Sequence, residues 1–274
     1  MAEHVLSSYS PHRAIYPSAL EQYQQCARRF YFQRVARHPS KSQSSPAIAK
    51  GNATHNVLKL CGEQLRRTGS FPRDIRQLVS VELARHPELS DEWRAGDIED
   101  LTEWVEFGLA AIDRHAQVLG VEQFAERPIR MEDGSRITFG AKLDLVLLRI
   151  DQNGESFIEV VDYKSGKNLD QAQFPPVLAR FVLKRQIDQH LQQSVKGRFG
   201  KIYFTEIYLC REELRRQEMT REKCAQDWDA LMQVVSDLVS NREWKPTPSP
   251  MCEGCPYLGN PCEVHAFDGS EELW

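Results

Sequence analysis

At 274 residues, 41% hydrophobic and 27% charged, the chain can bury a full core as one large domain and is neither fibrous nor grossly disordered. A formal net charge of -4 excludes a generic polyanion binder, so any nucleic-acid contact has to use local basic patches. There is no N-terminal apolar signal segment, and the longest apolar stretch, near Leu143 to Leu148, is far too short to span a bilayer; a cytoplasmic protein without a membrane partner is expected.

Helices are predicted over about 17–37, 47–68, 72–86 and 97–119. Pro17 can open the first, which carries an apolar stripe of Leu20, Tyr23, Ala27, Phe30 and Tyr31. It also carries a basic run from Arg28 and Arg29 through Arg34 and Arg37 to Lys41 with no acidic residue among them. Ser and Pro from His38 to Pro46 read as a loop. Three strands follow, near 121–131, 136–150 and 156–163, joined by turns at Asp133-Gly134 and Asn153-Gly154 into an antiparallel meander. After Pro175-Pro176 comes a helix to about Gly197, then a strand from Lys201 to Leu209 and a helix over about 220–241, with an acidic tail from Asp268 to Trp274. Lys184, Arg185, Lys196, Arg198 and Lys201 make a second basic run. Either run can equally be a solvated helix face. No internal repeat occurs, and no Gly-x-x-x-x-Gly-Lys-Ser/Thr phosphate loop, so an ATP-driven motor is not expected.

Chemistry concentrates in the second and third strands. Val160-Val161-Asp162-Tyr163-Lys164 sets Asp162 and Lys164 on one face and Tyr163 on the other, because strand side chains alternate. A second carboxylate comes from Gly140-Ala141-Lys142-Leu143-Asp144. Whether the two meet depends on the turn. A two-residue Asn153-Gly154 turn would set Asp144 opposite Tyr163, whereas a three-residue loop, Gln152 to Gly154 with a left-handed glycine, sets Asp144 opposite Asp162; the latter is expected. Paired carboxylates beside a lysine suit a Mg²⁺ or Mn²⁺ site that handles phosphate, since hard oxygen ligands hold the cation and the ammonium steadies negative charge. An edge hairpin with a surface ion pair is the competing structural account.

Seven cysteines in a reducing compartment call for a metal before a disulfide. Cys252, Cys255 and Cys262 lie in a tight loop among Pro250, Gly254, Pro256, Gly259 and Pro261. A fourth ligand can come from His265, giving a Cys₃His zinc site, or from Cys26 on the first helix, giving four thiolates and an iron–sulfur cluster, which is the expected arrangement. Cys61, Cys210 and Cys224 sit in apolar segments and read as buried thiols.

Taken together, Asp144, Asp162-Tyr163-Lys164 and Gln186, on a helix, strand, strand, strand, helix, strand order, resemble the PD-(D/E)XK nuclease superfamily. Ser18 to Phe32, with a lone Cys26 before a basic-aromatic run, resembles the opening helix of RecB-like and AddB-like nucleases, and Gly51-Asn52-Ala53-Thr54-His55 resembles their Gly-x-x-x-His motif. Cys252-Glu253-Gly254-Cys255 with Cys262 resembles their C-terminal [4Fe–4S] segment, also found in CRISPR-associated adaptation nucleases. Two departures stand out: His190 occupies the tyrosine position of the family's Gln-x-x-x-Tyr motif, and the gap from Cys255 to Cys262 is one residue longer than usual.

The resemblance implies an α/β (mixed α+β) restriction-endonuclease-like core, a mixed central sheet flanked by helices, within one nuclease domain over 1–274: a helical region at 1–120, the core at 121–245 and a cysteine-rich segment and tail at 246–274. It implies that His55, Asp144, Asp162 and the Tyr163 carbonyl hold the divalent metal, that Lys164 orients or activates the attacking water, that Gln186 supports the site, and that Cys26, Cys252, Cys255 and Cys262 hold a [4Fe–4S] cluster. Glu126 resembles an acidic position of some relatives, although a surface glutamate is the plainer account. The expected function is a metal-dependent, single-strand DNA exonuclease of repair, recombination or defence against foreign DNA, acting with a helicase or an integrase. Arg28, Arg29, Lys184 and Arg185 are expected on phosphates, and Tyr31 or Phe32 on bases if exposed. A non-catalytic DNA-end-binding or assembly module is the alternative, and the intact Asp144, Asp162 and Lys164 set argues against it.

Overall fold

The computed structural model describes residues 14–39, 45–86, 91–112, 115–131, 133–166, 174–183 and 201–263, with backbone alone for 91–95. In chain order the elements are α1 (Pro17–Gln25), α2 (Ala27–Phe30), a π-helical turn (Tyr31–Val35), α3 (Pro46–Thr68), α4 (Ile75–Leu83), α5 (Asp91–Ala110), β1 (Gln117–Arg130), β2 (Arg136–Ile150), β3 (Ser156–Lys164), α6 (174–183), β4 (Lys201–Tyr208), β5 (Glu213–Glu218) and α7 (Arg221–Ser240). The strands form one five-stranded sheet in the order β1-β2-β3-β4-β5. β2 and β3 pair antiparallel, β3 and β4 parallel, and β4 and β5 antiparallel, so the sheet is mixed. The parallel pair needs a crossover, and α6 lies within it. Among the described residues no helix is long and apolar enough to cross a membrane.

The chain divides into two compact units of interleaved segments: Ser44–Ala125 with Ala141–Cys224, and Met1–Gln43 with Glu126–Gly140 and Ala225–Trp274. In the first of these, α3 begins where the Ser45 hydroxyl accepts the Ile48 amide at 3.3 Å, with Pro46 at its first position, and it ends at left-handed Gly69 (φ 71°). Its Ala49, Ala53, Val57, Cys61 and Leu65, one turn apart, meet α4 and α5 and the sheet face that carries Leu145, Leu147, Val161 and Tyr163. The opposite face, with Val146, Ile158, Val160 and Phe204, packs on Ala179, Val182 and Leu183 of α6. Helices therefore flank the sheet. Burial pushes the Cys61 thiol up to about 12, so the folded protein should leave it unalkylated by iodoacetamide at pH 8, where only the thiolate reacts. Mass-spectrometric detection of rapid native-state labelling at Cys61 would contradict that packing.

In the other unit, Ile15 adds a bridge to Phe139, with Ile15 N–H donating to the Thr138 carbonyl at 2.8 Å and Gly140 N–H to the Ile15 carbonyl at 3.0 Å. Gly140 has no side chain because the Tyr16 ring lies where one would go; a Cβ there would stand 2.6 Å from it. Fully buried Trp244 stacks on Phe30 at 6.0 Å between ring centroids and meets Tyr31 at 5.4 Å and Tyr23 edge-on at 6.3 Å. Trp244→Ala should destabilise the protein by about 3–5 kcal/mol in urea titrations, the cost of an unfilled aromatic site. A loss under ~1 kcal/mol would show that the cluster carries little of the stability.

Three local expectations need correction. The first helix is not continuous over 17–37: it breaks at Cys26, which is extended (φ -163°, ψ 107°) and caps α2. β5 was not visible in the sequence, because Glu213-Leu214-Arg215-Arg216-Gln217-Glu218 is charged almost throughout and lacks apolar alternation; the ladder with β4 makes it a strand. α5 ends at Ala110 and β1 begins at Gln117, earlier than the pattern predicted for both.

Candidate active site

The β2–β3 hairpin decides which residues meet. Asp151 N–H donates to the Glu155 carbonyl at 2.9 Å and Gly154 N–H to the Asp151 carbonyl at 3.0 Å, while Gly154 is left-handed (φ 80°). The Asp151 carboxylate accepts both Asn153 N–H and Glu155 N–H at 2.8 Å. The loop therefore has three residues, Gln152 to Gly154, and the ladder sets Leu145 opposite Val161; one step on, Asp144 falls opposite Asp162.

Asp144 is 8% exposed. Its Oδ2 accepts the Tyr163 amide at 2.9 Å and lies 3.5 Å from His55 Nδ1. Burial would raise the Asp144 pKa, but the His55 contact, the His55 charge and the Tyr163 amide outweigh it and hold the carboxyl below its usual range. His55 is shifted upward for the matching reason: burial lowers it, and Asp144 and Asp162 more than compensate. Tyr163 turns its side chain into the core, as the alternation required.

α3 delivers His55 through a close approach. A Cβ on Gly51 would lie 2.8 Å from the Ser165 hydroxyl, just past Lys164, so the glycine lets the helix come up against the end of β3. Lys50 pairs with buried Asp97 of α5 at 2.5 Å and ties the same turn down. On β3 itself, Lys164 Nζ is 2.7 Å from Asp162 Oδ2. Burial and the Asp144 charge raise the Asp162 pKa against the pull of Lys164. Glu206 of β4, buried, stands beside Asp162 in the parallel ladder.

One acidic residue escaped the sequence reading. His55, Glu122 and Asp144 each offer a donor atom within 4.8 Å of the others, a set fit for a metal ion. Glu122 comes from β1, where its left-handed backbone (φ 48°) interrupts the strand's alternation and re-aims the side chain; Lys142 pairs with it. No spacing in the sequence announces such a residue. Glu126, the acidic position singled out from the sequence, instead accepts the Tyr16 hydroxyl at 2.8 Å in the other unit, and burial together with this bond pushes Tyr16 up to about 12. Gln186, Lys184, Arg185, His190, His265, Lys41, Lys196 and Arg198 lie outside the described residues.

A second constellation lies wholly in the unit that contains both chain ends. Cys26, Cys252, Cys255 and Cys262 line one cavity, with Arg28, Arg29, Phe32 and Tyr257 in its wall. The loop is built by short-range bonds: Cys255 N–H to the Cys252 carbonyl at 2.9 Å, Cys262 N–H to the Tyr257 carbonyl at 2.9 Å, and left-handed Gly259 (φ 77°) returning its N–H to the Cys262 carbonyl at 2.8 Å. Two backbone amides point at sulfur, Arg29 N–H at Cys26 Sγ (3.5 Å) and Ser249 N–H at Cys252 Sγ (3.4 Å). Four thiols lining one cavity, two of them with an amide donor, are the donor type that a thiolate-bound metal group takes. Tyr31 and Phe32 are 9% and 5% exposed and pack into this unit, so the expectation of base stacking on them is not met.

A family model described as the PD-(D/E)XK nuclease superfamily matches residues 15–259. No curated protein matches the chain. Among solved structures, one titled "Crystal structure of SSO0001" is 14% identical, with 92% of this chain and 87% of that chain covered and a TM-score of 0.37, too distant a likeness to argue from.

Proposed function

Because the chain belongs to the PD-(D/E)XK nuclease superfamily, we propose that it is a divalent-metal-dependent deoxyribonuclease, an exonuclease on single strands of RecB and AddB type. The observation that carries this is the convergence of His55, Glu122 and Asp144 within 4.8 Å, next to the ion pair of Asp162 and Lys164. His55, Glu122 and Asp144 would hold Mg²⁺ or Mn²⁺, with Asp162 and the Tyr163 carbonyl completing the set. A bound ion would supply Lewis-acid chemistry at the scissile phosphodiester and the attacking water. The chain's own groups do the rest: the Tyr163 amide fixes the Asp144 carboxylate, and Lys164, tethered at Asp162, offsets the negative charge that builds on the phosphoryl oxygens. Gln186 supports the site in this reading.

The four cysteines would carry a [4Fe–4S] cluster with a structural role; their shared cavity and its amide-to-sulfur contacts support this. Lys184, Arg185 and Arg28 would neutralise phosphates, giving an affinity that falls with salt. A cytoplasmic role in repair, recombination or defence, with a helicase or integrase as partner, and a single nuclease domain over 1–274 complete the reading. The test centres on the residue the fold contributes. Glu122→Gln should weaken Mn²⁺ binding by roughly 10–100-fold in calorimetric titrations, the scale on which metal sites respond to lost carboxylate support. Unchanged Mn²⁺ affinity would remove Glu122 from the site.

A further inference from the structure

The two arginines beside the cysteine cavity are held differently. Arg28 donates its Nε to the Trp244 carbonyl at 2.7 Å and lies 5.9 Å from the Phe32 ring centre, so its Nε is satisfied by the protein frame. Arg29 gives its backbone amide to Cys26 Sγ, while its side-chain Nε is buried without a hydrogen-bond partner among the described residues. Arg29 is one of the residues around the cavity that all four cysteines line, with the apolar Phe32, Pro246, Pro248 and Leu258. A guanidinium donor buried in apolar surroundings is costly unless an anion compensates it. Four thiolates around an iron–sulfur core carry net negative charge in both usual oxidation states.

We propose that Arg29 is the charge partner of the four-cysteine site: a positioning residue whose guanidinium compensates the anionic thiolate set, favours its more negative, reduced state and secures retention of the metal group. The proposal rests on the reading that Cys26, Cys252, Cys255 and Cys262 hold an iron–sulfur cluster. It reassigns Arg29 from contact with a nucleic-acid phosphate.

The experiment compares wild type with Arg29→Gln and Arg29→Lys, all purified anaerobically and titrated with dithionite while the reduced signal is followed by electron paramagnetic resonance. Arg29→Gln should have a lower midpoint potential, with the oxidised-to-reduced ratio at fixed potential raised about tenfold, or ~59 mV for a one-electron couple. It should also lose iron faster in air, and Arg29→Lys should restore most of both properties. The salt dependence of DNA binding should be the same in all three proteins. An unchanged potential and iron retention in folded Arg29→Gln overturns the proposal, as does a drop in DNA affinity and salt slope without a change in potential. If Arg29→Gln does not fold, Arg29→Lys decides alone: a wild-type-like potential supports the charge role and a potential lowered as far as expected for Gln contradicts it. Absence of iron from anaerobically prepared wild-type protein is a separate outcome, which removes the cluster and this proposal with it.

Discussion

Asp144→Asn and Asp162→Asn should each slow DNA cleavage by at least about a hundredfold, a barrier increase of ~3 kcal/mol, without comparable loss of DNA binding. Asp144, midway along β2, faces Asp162 near the end of β3, and neither is a surface acid whose charge is dispensable. Asp144 is fixed by the Tyr163 amide and sits against His55; amidation removes the negative charge while retaining the shape. Asp162 holds Lys164 at 2.7 Å, so Asp162→Asn also releases the ammonium from its tether. Lys164→Ala should lose a similar amount, and Lys164→Arg should recover part of it if the residue contributes charge. Circular dichroism on each variant separates lost chemistry from lost fold. Near wild-type kcat in folded Asp162→Asn would contradict the assignment.

Cys26→Ser should lower stability and remove the metal group together. Cys26 and the trio Cys252, Cys255 and Cys262 lie near opposite ends of the sequence but line one cavity, so a metal group bound by all four closes a loop over most of the chain and adds its binding free energy to folding. Anaerobically purified wild-type protein should be brown and hold about four irons per chain. The variant should be colourless, and a loss of about 3 kcal/mol would lower Tm by roughly 6–12 °C. Protease sensitivity should rise near both termini. Stoichiometric zinc, with Cys26→Ser harmless and His265→Ala damaging, would establish the local Cys₃His alternative.

The sequence carried the catalytic strands well because strand chemistry is periodic. Once Gly154 marked a three-residue loop, the two-residue alternation fixed the partner of Asp144 and the inward turn of Tyr163. Cys26 was legible as a ligand candidate but not as a helix break, since a cap made by a thiol leaves no propensity signal. Glu122 was hidden for a related reason: it reaches His55 and Asp144 only because a non-glycine residue takes a left-handed backbone within a strand, and that is decided by surrounding packing. Glu126 had the better sequence pedigree and serves Tyr16 instead. Tyr31 belonged to the apolar stripe of the first helix and, with Phe32, was a stacking candidate if exposed; the run of arginines around them left exposure open, and both are buried.

The most direct test is cleavage of a 5′-labelled single-stranded oligonucleotide by anaerobically prepared protein, supplied with Mn²⁺ in one arm and with excess EDTA in the other. The His55, Glu122 and Asp144 site predicts loss of the intact strand with Mn²⁺ and none with EDTA, restored when Mn²⁺ is returned. Equal cleavage in both arms, or no cleavage by iron-replete protein in Mn²⁺, would contradict a metal-dependent nuclease.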